Sequence, residues 1–367
     1  MVARNWKILF FFLCFWIPLT LSAQDTPTDL TLDDPTAEQI RQSGANLDVT
    51  YSYSDNNPDT TTITFTDASN NTATYGVNDS NYDGGNNGKT VTLDLGTPEQ
   101  TAGNGFVDGN TYSITVETTD SSGNSASVTG TDLLTIDDSA PADLTLDDPA
   151  TEQFRQSSGN LDVTYSYSED NPDTTTITFD DGSGNTATYG IDDSNYTVDG
   201  NNGKTVTLDL ASPDQTSNSG FVDGSTYNIT VQTTDTAGNS SSITGSGLLT
   251  IDDTAPTISN VSLSNDGSDN LAISFDSDEI LDSIQVSIDG PSTQPAYTFD
   301  QNDFDESGGT YSLNGTQQYD DGDGTYTASV DDAIDAAGNN GGNNGVGTEL
   351  TASYSFDGTA PGSLSLD

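Results

Sequence analysis

The feature that most constrains this chain is that it repeats itself at the scale of a whole domain. Leu30-Thr31-Leu32-Asp33-Asp34-Pro35 returns as Leu144-Thr145-Leu146-Asp147-Asp148-Pro149, and Leu47-Asp48-Val49-Thr50-Tyr51-Ser52-Tyr53 returns at residues 161–167. Gly105-Phe106-Val107-Asp108-Gly109 returns at 220–224, and the stretch from Leu133 to Pro141 returns at 248–256. Pro27, Pro141, Pro256 and Pro361 mark the period, which is roughly 110 residues. A solenoid turn takes only about 20–50 residues, so each repeat is long enough to hold its own core. Residues 24–138 form the first repeat, 139–253 the second and 254–358 a divergent third. Residues 359–367 match the opening strand of a fourth, so the chain is expected to be a fragment of a longer protein.

Within each repeat the apolar residues alternate with polar ones. Leu47, Val49, Tyr51 and Tyr53 do so, as do Ile63 and Phe65; Val91, Leu93 and Leu95; Tyr112, Ile114 and Val116; and Leu134 and Ile136. Period-2 alternation over short runs places one face in a core and the other in water. Threonine fills many outward positions, as strand propensity favours. Gly, Asn and Asp separate the runs and supply turns, and no helical stripe of useful length interrupts them. About seven short strands in about 110 residues is the arithmetic of an immunoglobulin-like sandwich. The expected fold is therefore all-β, with tandem immunoglobulin-like β-sandwich domains arranged end to end.

Charge narrows the function. The chain of 367 residues carries 58 Asp and Glu against 6 Lys and Arg, has no His, and has a formal net charge of -52. Such a polyanion cannot neutralise phosphates, which excludes nucleic acid as a partner. It is repelled by anionic membrane surfaces. Without His, and with Cys14 alone, it has no ordinary zinc site, Ser-His-Asp triad or disulfide. Hydrophobic residues make up 31%, a level that at this charge signals disorder unless bound cations or well-patterned thin cores intervene.

Arg4 and Lys7 precede an apolar run from Ile8 to Leu21, and Leu21-Ser22-Ala23 offers small residues for cleavage. That is the order of a secretory signal, residues 1–23. The run is shorter than the about 20 residues a spanning helix needs. The mature chain then starts near Gln24, secreted or at the cell surface, without a membrane span, and keeps four cations: Arg41, Lys89, Arg155 and Lys204.

Two recurring phrases carry a family resemblance. One is Asp138-Ser139-Ala140-Pro141, with Asp253-Thr254-Ala255-Pro256 and Asp357-Gly358-Thr359-Ala360-Pro361. The other is Thr119-Asp120-Ser121-Ser122-Gly123-Asn124, with Thr234-Asp235-Thr236-Ala237-Gly238-Asn239 and Asp335-Ala336-Ala337-Gly338-Asn339. On these the chain resembles the bacterial immunoglobulin-like domains, of cadherin-like and adhesin extender type, in large secreted and surface proteins. Asp-Gly also precedes Tyr112, Tyr227 and Tyr326, which suits either a corner tyrosine bonded back to its loop or an ordinary core tyrosine.

Immunoglobulin-like topology collects loops at the two poles of a domain, and stacking brings acids from facing poles together. Carboxylates so crowded repel one another, and Ca2+, which takes six to eight oxygen ligands, relieves that repulsion. The expected calcium ligands are Asp137, Asp138, Glu169, Asp170, Asp173 and Asp235 at the first junction. At the second they are Asp252, Asp253, Asp276, Asp278, Glu279, Asp332 and Asp335. Asp55-x-Asn57-x-Asp59 has the opening spacing of an EF-hand loop but lacks its central Gly and closing Glu. Lys89 and Lys204, each after Asn-Asn-Gly, read as partly covered surface ion pairs, with a lysine–asparagine isopeptide link the other chemistry open to them. Arg41 and Arg155 read as ion-pair partners for acids at the trailing pole.

The implied function is non-catalytic: a stalk or adhesin, monomeric and rod-like, stiffened by calcium. Its expected partners are a cell-surface or extracellular polysaccharide or a protein ligand. Two alternatives stand beside it: carbohydrate-binding modules attached to a secreted enzyme, and a passive spacer whose acids suit high salt. No Trp lies beyond Trp16, which weakens the carbohydrate alternative. The acids recur in every repeat, a pattern of structure rather than of one active site.

Overall fold

The structure is a computed structural model that describes residues 26–358, except 43, 83–87, 157–158, 197–202, 293–294, 319–321 and 347–348. The signal segment and the start of the fourth repeat lie outside the described residues. The described chain divides into two compact units, one ending at Ser139 and the next opening at Ala140.

Among its described residues the first unit holds nine strands: β1 (Thr28–Asp34), β2 (Glu38–Ile40), β3 (Asn46–Ser54), β4 (Pro58–Asp67), β5 (Thr72–Asn78), β6 (Lys89–Asp94), β7 (Gln100–Ala102), β8 (Thr111–Asp120) and β9 (Ser125–Ile136). They form a three-stranded sheet, β1-β3-β6, and a six-stranded sheet, β2-β9-β8-β4-β5-β7. The alternation read from sequence is the alternation seen. Leu47, Val49, Tyr51 and Tyr53 of β3 are buried, and they meet Ile63, Phe65, Ile114 and Val116 from the other sheet in one core. Truncating a residue such as Ile63 to Ala costs about 2–5 kcal/mol by transfer and cavity terms.

Nine strands replace the expected seven for a physical reason. Pro35 has no N–H to give a ladder, so β1 ends and the chain passes to the opposite sheet as β2. There β2 pairs with β9 in parallel, Glu38 opposite Leu134 and Ile40 opposite Ile136. The other addition is β7, three exposed residues on the edge beside β5.

The second unit holds two sandwiches. The first of these repeats the pattern just described: β10 (Ala142–Asp148), β11 (Glu152–Phe154), β12 (Asn160–Ser168), β13 (Pro172–Asp180), β14 (Thr186–Asp192), β15 (Lys204–Asp209), β16 (Gln215–Ser217), β17 (Thr226–Asp235) and β18 (Ser240–Ile251). Its sheets are β10-β12-β15 and β11-β18-β17-β13-β14-β16. The divergent sandwich has β19 (Ile258–Asn265), β20 (Asn270–Ser277), β21 (Leu281–Asp289), β22 (Pro295–Asp300), β23 (Phe304–Ser307), β24 (Thr310–Leu313), β25 (Gln317–Gln318), β26 (Gly324–Asp335) and β27 (Thr351–Phe356). Its sheets are β19-β20-β24-β23, with β25 against β20, and β22-β21-β26-β27. Its separate core is built on Phe275, Val286, Tyr311 and Tyr326. The fold is all-β, of tandem immunoglobulin-like sandwiches.

The corner tyrosines answer both descriptions at once. Tyr112 is fully buried, its hydroxyl donates to the Gly105 carbonyl at 2.9 Å, and it accepts from the Val107 amide at 2.8 Å. Tyr227 does the same with Gly220 and Val222, and Tyr326 donates to Gly322.

Candidate metal centre

Six described aspartates are turn-formers before they are anything else. Asp67, Asp120, Asp181, Asp235, Asp266 and Asp335 each sit four residues before an Asn. In each hairpin the first carboxylate oxygen accepts the Asn amide, and the second accepts the Asn side chain. These are Asx-type turns, a role that needs no ion. The Asn185 and Asn270 side chains accordingly hold Asp181 and Asp266 below the usual carboxylate range.

One of these turns differs in its neighbours. Asp335 ends β26 and is buried. Asp252 follows β18, its amide donating at 3.0 Å to the Phe154 carbonyl, so the parallel ladder of β11 fixes where it leaves the second sandwich. Glu279 lies in the turn after β20, its amide turned to the Ser277 hydroxyl. One carboxylate oxygen from each of Asp252, Glu279 and Asp335 lies within 4.8 Å of the other two. They share a cleft with Glu152, Ile280 and Ala336. A hard cation bonded at about 2.3–2.6 Å sits between oxygens spaced up to about 5 Å, so the donor set suits calcium, with water or carbonyl oxygens completing six to eight ligands.

Electrostatics in the cleft run opposite to the isolated turns. Burial pushes the Asp252 carboxyl up, and Asp335, Asp223 and Asp253 push it further, against the pull of the Thr254 amide. Burial also raises Glu279, with Asp252, Asp335, Asp278 and Asp223 adding to it. In its turn each Asp335 carboxylate oxygen accepts one hydrogen bond, and a carboxylate oxygen offers two lone pairs.

Of the seven residues expected at the second junction, the structure brings Asp252, Glu279 and Asp335 together. Asp253 accepts the Gln156 amide, while its own amide donates to Asp223. Asp276 accepts Thr310 and Asn260, Asp278 accepts the Thr257 amide at 2.6 Å, and Asp332 accepts Asn340 and Asn344. Each accepts hydrogen bonds from donors of its own, and none of the four is among the three acids whose oxygens converge.

The residues expected at the first junction fall in different units. In the first, Asp137 accepts the Gln39 side chain at 2.5 Å and the Ser139 amide, and Asp138 accepts the Gln42 amide. In the second, Glu169 accepts the Asn171 amide, Asp235 serves its turn, Asp170 is exposed, and Asp173 lends its carbonyl to the Asp193 amide.

Lys89 and Lys204 form the expected ion pairs and are partly covered, but with acids that are fully buried. Their partners are not surface acids. Asp79 and Asp193 are both 0% exposed. Asp193 accepts the hydroxyls of Tyr165 at 3.0 Å, Tyr167 at 3.1 Å and Thr175 at 2.5 Å, and pairs with Lys204. Asp79 gathers Tyr51, Tyr53, Thr61 and Lys89 in the same way. Sequence reasoning passed over both aspartates, although Asp-Ser-Asn-Tyr recurs at 79–82 and 193–196. Arg155 is corrected too: its described partner is the Gly338 carbonyl, at 3.3 Å, rather than an acid.

No family model matches the chain, and no curated protein matches it. Solved structures do. One is a bacterial ice-binding adhesin of 1.5 MDa studied for host cell surface retention, 17% identical, covering 90% of this chain and 98% of that one, with a TM-score of 0.32. Another holds fibronectin(III)-like modules of Clostridium thermocellum CbhA, 13% identical over 60% of this chain and 94% of that one, with a TM-score of 0.29. A third is the Bacteroides ovatus protein SGBP-B in complex with a mixed-linkage heptasaccharide, 16% identical over 88% of this chain and 70% of that one, with a TM-score of 0.19. Among the described residues no helix is long and apolar enough to cross a membrane.

Proposed function

We propose that this chain is part of a secreted or surface-anchored, non-catalytic stalk, and that calcium bound where sandwiches meet stiffens it. The observation that carries the reading is the Asp252–Glu279–Asp335 triad: two sandwiches contribute carboxylates to one cleft, and among the described residues no cation answers them there. An ion bound between sandwiches restricts their angle and turns a string of domains into a semi-rigid spacer. By repeat position the sequence supplies Asp137, Glu169 and Asp235 as counterparts of the three. The export signal and the polyanionic surface support an extracellular place, where calcium is plentiful. A polysaccharide or protein ligand at the far end of the stalk fits the same reading.

The test is a thermal melt in chelator and in millimolar calcium, with ionic strength matched by NaCl. Calcium-specific stabilisation is expected, about 2.7 kcal/mol at a hundredfold excess over Kd. Equal stabilisation by NaCl would overturn the metal reading and leave a salt-adapted spacer.

A further inference from the structure

The chain from Ala140 onward contains two cations, Arg155 and Lys204. Lys204 is taken up by buried Asp193. Arg155 is therefore the one positive side chain left to a pair of acidic sandwiches, and its place is informative. It stands just after β11 of the second sandwich, half-buried, with Nε wholly covered. Its Nη1 donates at 3.3 Å to the Gly338 carbonyl in the third sandwich. Gly338 belongs to the turn that Asp335 opens, and the next residue, Asn339, donates its side chain back to the Asp252 carbonyl at 2.8 Å. Two hydrogen bonds of opposite direction thus tie that turn to the end of the second sandwich. From the other side the linker is held by the third sandwich: the Thr257 amide donates to Asp278, and the Asp278 amide returns to the Thr257 carbonyl. Gly341 packs so closely on Pro256 that a Cβ there would stand 1.9 Å from the proline carbonyl.

We infer that Arg155 is a positioning residue that docks the third sandwich on the second whether or not an ion is bound. Two bodies of like charge repel, and a guanidinium at their contact offsets that repulsion. Calcium, on the reading proposed above, adds to a junction that Arg155 has already set. The docking itself does not rest on that reading.

The experiment uses the full chain carrying Cys14→Ser, with spin labels on Ser212→Cys and Ser307→Cys, both exposed positions; the sequence has no other cysteine. Distance distributions are measured by electron–electron double resonance in chelator and in calcium. In chelator the parent is expected to keep one main peak. Arg155→Met, which keeps the stem and loses the charge, is expected to lose that peak and spread. Arg155→Lys is expected to restore it in part, an outcome that a purely packing role for the stem would not produce. Circular dichroism melts check that both sandwiches of the variants remain folded. A distribution in Arg155→Met that matches the parent in chelator would overturn the inference, as would a parent already spread. If calcium changes no distribution while the variants differ, the metal reading fails and the brace stands.

Discussion

The second unit buries carboxylates in two ways. Asp193 is sealed inside a sandwich, and its described side-chain partners are donors: three hydroxyls and a lysine. Asp252, Glu279 and Asp335 are gathered at a boundary, and each faces the other two. The first arrangement is complete from the chain's own residues. The second is a group of acids that could hold a cation, and on the calcium proposal its positive charge comes from solution. On that proposal a polyanion is both folded and responsive: internal acids are paired by the chain itself, and boundary acids only when an ion binds.

The largest effect expected from this contrast is at the sealed site. Asp193→Ala orphans three buried hydroxyls and the Lys204 amine, and should cost roughly 3–5 kcal/mol in a denaturant melt, with or without calcium. A calcium-dependent loss would mean that the two sites are coupled. Next comes Glu279→Gln, which should abolish most of the calcium stabilisation while slightly raising the melting temperature in chelator. A variant that keeps the full calcium response would remove Glu279 from the centre. Tyr165→Phe deletes one donor to a charged acceptor and should cost about 1.5–3 kcal/mol, less than removal of Asp193.

The smallest effect is in the pH profile, where the two kinds of acid should have opposite signs. Asp252 and Glu279 hold their protons to higher pH when folded. Folding therefore takes up protons just above the ordinary carboxylate range, and stability in chelator falls as pH rises through that window. Calcium needs the ionised forms, so its stabilisation is lost as pH falls through the same window. Asp181 and Asp266 are held low by their turns, so the stability they lend is present above the ordinary range and lost only in more acid solution. Chelator melts across pH check this, and a chelator curve that rises through the upper window would refute it.

Much of this was legible in the sequence, and the failures share a cause. Period-2 runs placed Leu47 to Tyr53, Ile63 and Phe65, and Tyr112 to Val116 in the core because burial follows alternation directly. Strands β2 and β7 were not legible: three residues carry no periodicity, and their pairing is with distant strands. Asp252, Glu279 and Asp335 stood within the expected set, but Asp253, Asp276, Asp278 and Asp332 stood there too. Residue type alone cannot separate an acid that captures a local amide from one that faces another acid. Asp193 was missed because aspartate is so seldom fully buried that a repeated Asp-Ser-Asn-Tyr reads as a loop.

The parallel pairing of β2 with β9, and of β11 with β18, has a mechanical consequence. A strand near the start of the sandwich lies alongside the one that leaves it, so tension along the chain loads their hydrogen bonds in shear, all at once. In the divergent sandwich the described ladders of β19 and β27 are antiparallel, to β20 and β26, and such pairs can open one bond at a time like a zip. Stretched in a force spectrometer, the divergent sandwich should yield at lower force than the two repeats before it; the reverse order would deny the clamp its role. The molecule would then carry its own fuse, extending at a chosen place while the remaining sandwiches stay folded.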